Sequence, residues 1–150
     1  MKLFHFRLQQ YLDYKKQRED AQRLLLHQTQ LVYKEALGKL ELLDRKIEEI
    51  VDYTETARQN RVQVELMLMA ETYLRDLQEQ RRAQALAVEE ALEKVNAEQK
   101  VLIDIQRRRK MLERLKGKQW QEYYQNLLRE EQKELDEIGN ARFYRQQGGA

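Results

Sequence analysis

The amino-acid sequence predicts an all-α fold, two long helices in an antiparallel coiled-coil hairpin, and three observations predict it. Proline and cysteine are absent and 36% of the residues are charged, a helical rod's composition. Apolar residues recur at alternating spacings of four and three along two long stretches. Between those stretches the phase slips by one residue across a short polar segment.

The first ladder runs Leu8, Leu12, Lys15, Glu19, Gln22, Leu26, Thr29, Tyr33, Ala36, Leu40, Leu43, Ile47, Ile50, Thr54 and Ala57, ten of these fifteen being apolar. It places helix 1 over about 3–58. Its polar members cluster between Lys15 and Gln22, so that segment is expected to pack least tightly. The second ladder, from Met67 and Ala70 through Leu74, Leu77, Arg81, Gln84, Val88, Ala91, Val95, Glu98, Leu102, Ile105 and Arg109 to Leu112, is apolar at ten of fourteen positions. It places helix 2 over about 65–140. Gly38 and Gly117 should soften the helices, each costing on the order of 1 kcal/mol against Ala.

The polar stretch Arg58-Gln59-Asn60-Arg61 sits between the ladders, and the reversal is placed at about 58–65. Folding there sets Ile50 opposite Leu74, Ile47 opposite Leu77 and Leu12 opposite Leu112. A continuous helix in a parallel dimer is the competing arrangement. Gly139 reads as a helix stop. Residues 1–140 thus form a single domain, and 141–150 are expected to be a flexible tail.

No apolar run approaches the roughly 20 residues that cross a bilayer, and the N-terminus lacks a signal-peptide core, so a cytoplasmic protein is expected. Catalysis is not expected. The chain has two histidines, His5 and His27, no cysteine and no glycine-rich phosphate loop. Neighbouring carboxylates such as Glu48-Glu49 and Glu130-Glu131 diverge by about 100° on a helix and cannot share a proton. No cofactor or metal ion is implied.

Three surfaces are candidates for binding. Trp120, Tyr123, Tyr124, Leu127, Leu128, Leu135 and Ile138 form an apolar stripe beyond the reach of helix 1. Either Phe4, Phe6 and Leu8 fold over its beginning or a partner covers it, and Leu127 onward favours a partner. The basic run Arg107-Arg108-Arg109-Lys110 with Arg114, Lys116 and Lys118 lies beside Lys15, Lys16, Arg18 and Arg23 in a hairpin. That girdle is either simply solvated or suited to an acidic protein lining. Nucleic acid is not the expected partner, because the flanking blocks are acidic and would repel phosphates. Leu66, Leu68, Met69 and Tyr73 leave an adaptable patch at the start of helix 2, or a tight apolar cap on the turn.

Phe4-x-Phe6-x-Leu8 with Leu12, Tyr73-Leu74-x-x-Leu77, and Lys133-Glu134-Leu135-Asp136-Glu137 followed by Arg142 together resemble the FliJ family of the bacterial flagellar type III export apparatus. The likeness spans nearly the whole chain. It implies a non-enzymatic stalk, similar to the two-helix shaft of the γ subunit of rotary ATPases. It implies binding to the hexameric export ATPase, the cytoplasmic domain of the export-gate membrane protein, and export chaperones. Location would be cytoplasmic, peripheral at the inner face of the membrane through those partners only. Candidate ATPase-binding residues are Phe4, Phe6, Arg107, Arg108, Trp120, Tyr124, Leu127, Leu128 and Leu135. Candidate export-gate residues are Tyr73, Leu74, Leu77, Gln80 and Gln84, of which Leu74, Leu77 and Gln84 also lie on the second ladder. An injectisome stalk or a structural spacer is the alternative.

Overall fold

A computed structural model of the chain describes residues 2–60 and 63–149. Two helices account for nearly all of them: α1, Gln9–Gln59, and α2, Val64–Gly148. Among the described residues there is no strand. Long stretches rich in Leu, Ala, Glu, Lys, Gln and Arg, with no proline to remove an amide donor, explain helices of 51 and 85 residues.

The helix ends differ from the sequence expectation at both termini. Helix 1 was expected from about residue 3, yet residues 2–8 are a non-helical arm that enters α1 through a bond from the Gln9 amide to the Phe6 carbonyl oxygen at 3.1 Å. Phe6 is buried at 4% exposure, so burial of this aromatic holds the arm out of helical geometry. At the other end, helix continues through residues 141–148, where a tail was expected. A lone glycine weakens a helix by only about 1 kcal/mol, and Gly139, with nothing within 4 Å of an added Cβ, does not stop it. The reversal expected at about 58–65 falls in part on residues 61 and 62, which lie outside the described residues. On either side of them, the Asn60 amide bonds to the Ala57 carbonyl oxygen at 3.3 Å and the Leu66 amide to that of Gln63 at 3.1 Å. Glu65 in the first turn of α2 and Arg145 in its last carry the charges that suit the helix dipole.

Contacts group the chain into two compact units. The hairpin unit, 19–104, pairs the end of α1 with the beginning of α2. Gln22 bonds to the side chain and the carbonyl oxygen of Glu98, Gln84 to the Ala36 carbonyl oxygen at 2.9 Å, and Arg81 to Asp44 at 2.5 Å. Ascending α1 thus means descending α2, the antiparallel register. Ala57, Ala70, Leu77, Ala91, Val95 and Leu102 are its buried apolar side chains, and the alanines let the two backbones approach closely.

The terminal unit, described over 2–18 and 105–149, packs the N-terminal arm and the first turns of α1 against α2. Phe6, Leu12 and Ile105 are buried. Leu12, at 1% exposure, gains roughly 1.5–3 kcal/mol by leaving water.

The ladders read from the sequence coincide with the covered faces: of the first, only Leu8 is exposed, and of the second only Arg81. The boundary between the two compact units falls within the polar stretch of the first ladder, between Arg18 and Glu19. That stretch was expected to pack least tightly; its polar side chains are nevertheless covered, Lys15 and Glu19 being each only 4% exposed. In the terminal unit the Lys15 ammonium lies over the Tyr11 ring, 5.3 Å from its centroid. In the hairpin unit Glu19 accepts a bond from Arg23 at 2.7 Å. Long aliphatic stems can be covered while their charged ends are satisfied.

Candidate functional site

The arm of residues 2–8 builds the candidate site by crossing α2. Phe4 meets Trp120 edge-on at 5.2 Å between ring centroids and leans on Tyr123 at 5.6 Å. Trp120 stacks in turn on Tyr124 at 6.4 Å. The Tyr123 hydroxyl donates to the Lys2 carbonyl oxygen at 2.8 Å, which ties the arm down. Phe4 therefore folds over the start of the stripe, but incompletely: Trp120 and Tyr124 keep about half their surface exposed, at 48% and 49%. Leu8 does not join them and stays exposed.

Beyond this cluster α2 has no covering helix. Leu127 is half-buried, whereas every described residue from Leu128 to Gly149 is exposed. Leu128, Leu135 and Ile138 share one helical face with Trp120 and Tyr124. An apolar row of this length facing water marks an association surface. The terminal unit thus brings Phe4, Trp120 and Tyr124 together, buries Phe6 in the same unit, and leaves Leu128 and Leu135 as an outward continuation.

The basic candidates Arg107 and Arg108 are both exposed on α2. Their neighbour Arg109 holds Glu113 at 2.9 Å, an exposed pair worth little to stability. Beside them a shallow cleft is lined by Phe4, Leu12, Lys16, Glu113, Lys116, Gly117 and Trp120. Reading the sequence for apolar stripes does not find it, since its lining comes from two stretches distant along the chain, residues 4–16 and 113–120, and includes a glycine.

The second candidate surface divides. Leu77, at 2% exposure, and the half-buried Leu74 face the helix pair, and Gln84 spends its amide on Ala36. Tyr73 and Gln80, two turns apart, remain on the surface. Leu68, Met69, Thr72, Tyr73 and Asp76 line one exposed depression, and Gln80 and Ala83 with Lys39, Leu42 and Leu43 another. Met69 is 69% exposed and Leu68 59%, so these side chains form an open patch rather than a closed cap on the turn.

Among the described residues no three His, Cys, Asp or Glu side chains gather as metal ligands. No helix among the described residues is long and apolar enough to cross a membrane. The site offers binding surface: aromatic rings, an aliphatic row, and charge of both signs.

Comparison with known proteins matches residues 4–148 to the family described as Flagellar FliJ protein. No curated protein and no solved structure matches the chain.

Proposed function

The chain belongs to the flagellar FliJ family, proteins of the flagellar export apparatus, and from that membership we propose that it is the stalk-like component that engages the hexameric export ATPase. Binding promotes assembly of the ATPase ring and its turnover. The same chain links the ATPase to the cytoplasmic domain of the export-gate membrane protein and to export chaperones. It needs no chemistry of its own for this role, and it sits at the inner face of the membrane only through those partners.

The observation that carries the reading is the half-covered aromatic cluster at Trp120 and Tyr124, continued by the uncovered row of Leu128 and Leu135. Trp and Tyr are among the residues that most often carry binding energy at protein interfaces, and an exposed apolar row continuing from them suits a partner's surface. Arg107 and Arg108 add a basic flank for an acidic ring lining. For the export gate, Tyr73 and Gln80 are the exposed members of the candidate set, and Leu74, Leu77 and Gln84 support them from the helix pair.

ATP hydrolysis by a homologous export ATPase, measured with and without the protein, tests the proposal. Stimulation that saturates with added protein is expected, and Leu128→Ser with Leu135→Ser should remove it while helicity by circular dichroism is unchanged. Hydrolysis unaffected up to saturating protein would overturn the proposal.

A further inference from the structure

The cleft of the terminal unit has an apolar floor of Phe4, Leu12 and Trp120, and Lys16 and Lys116 stand on its rim. The carboxylate that also lines it, Glu113, accepts a bond from Arg109 at 2.9 Å, so that with Lys16 and Lys116 the basic groups at the cleft outnumber the acidic one. Gly117 leaves the cleft open. A Cβ at that position would meet nothing within 4 Å, so the helix pair does not require glycine there, although glycine costs the helix about 1 kcal/mol relative to Ala.

The complement of this cleft is on the same unit. Leu128, Leu135 and Ile138 make an exposed apolar row; Glu131 sits within it and Glu130, Glu134 and Glu137 line one side of it, all of them exposed, and with Asp136 they outnumber Arg129 and Lys133 in the segment. This segment cannot fold back onto its own cleft. Both lie on one unbroken helix, and Gly117 and Glu131 are separated by about 21 Å along its axis at 1.5 Å per residue. A second copy running in the opposite direction has no such restriction.

We propose that two copies of this chain pair through their terminal units, antiparallel about Tyr124, each laying its 128–138 segment into the cleft of the other. With the two-fold axis at Tyr124, Leu128 falls opposite the second copy's Trp120, and Glu131 opposite its Gly117. Glu130 and Glu134 then approach the second copy's Lys16 and Lys116. A two-fold arrangement makes every such contact twice, which is how short complementary segments add up to a specific dimer. This pairing does not depend on the ATPase reading, but it uses the same Trp120 and Leu128 surface, so pairing and ring binding exclude each other.

The chain has no cysteine, so a single introduced thiol reports the axis. Full-length Tyr124→Cys under mild oxidation is expected to give a disulfide-linked dimer, because two-fold symmetry brings the two Cα atoms within the roughly 7 Å a disulfide spans. Tyr53→Cys, equally exposed but in the hairpin unit, should stay unlinked. In sedimentation equilibrium the unmodified chain should show concentration-dependent dimer. Lys16→Glu with Lys116→Glu should weaken it by about tenfold or more, and adding Glu130→Lys with Glu134→Lys should restore it. A chain that remains monomeric up to roughly 200 µM, a range that detects even weak pairing, overturns the proposal. So does cross-linking of Tyr124→Cys no greater than that of Tyr53→Cys, a result that leaves ATPase stimulation untouched.

Discussion

Phe4 stands edge-on to Trp120 with ring centroids 5.2 Å apart, an arrangement that sets the positive ring edge against the negative ring face. This pair, with the bond from Tyr123 to Lys2, is what attaches the N-terminal arm to α2. Phe4→Ala should lower unfolding free energy by about 2 kcal/mol, less than a full core truncation because Phe4 is only half-buried. Trp120 is the single tryptophan, so its emission should move to longer wavelength as well. Unchanged emission and stability would show that the arm is held elsewhere.

Leu12 and Leu68 are both leucines on helix surfaces, and the structure assigns them opposite weights. Leu12→Ala should cost about 2–5 kcal/mol in urea unfolding, since its side chain is fully covered. Leu68→Ala, at a position 59% exposed, should fall within about 0.5 kcal/mol of the unmodified protein. Equal effects would contradict the assignment of faces.

Gln22 bonds to Glu98 across the hairpin unit, in a part-buried setting. Gln22→Leu leaves the Glu98 carboxylate short of a donor and should cost about 1–3 kcal/mol. Gln22→Leu combined with Glu98→Leu should recover most of that loss, because an apolar pair of similar shape needs no donor. A double substitution as unstable as the single one would mean that packing, not the bond, governs this level of the seam.

Gly38 lies within α1 with nothing within 4 Å of an added Cβ. Gly38→Ala should therefore raise stability by up to about 1 kcal/mol through helix propensity alone. Thermal unfolding followed by circular dichroism measures it, and a lowered midpoint would reveal a constraint on that backbone.

Much of the fold was legible in the sequence because spacing alone encodes a helical face. The alternation through Leu26, Tyr33, Leu40 and Ile47, and again through Leu77, Val95 and Ile105, marks the side chains that the structure covers. Where spacing and polarity disagree, spacing prevails at Lys15 and Glu19, which are covered while their charged ends find partners, but not at Arg81, which pairs with Asp44 and stays exposed. The ends were less legible. An arm held by Phe6 depends on tertiary burial, and a lone Gly139 is too weak a signal to stop a helix. At the candidate site the aromatic cluster and the aliphatic row could be read from Trp120 onward. The cleft at Gly117 could not, since a missing side chain gives no periodic signal.

Apart from the first and last turns, the helices Gln9–Gln59 and Val64–Gly148 consume their own backbone hydrogen-bonding groups. Along both, a visiting protein finds no strand edge to extend and no amide ladder to grasp, so recognition there is written wholly in side chains at fixed angular intervals. Substitutions that keep a residue's bearing around the helix axis preserve such a vocabulary, while a single insertion or deletion rotates everything beyond it by about 100°. For this chain, length errors should be far more damaging to assembly than changes of residue type.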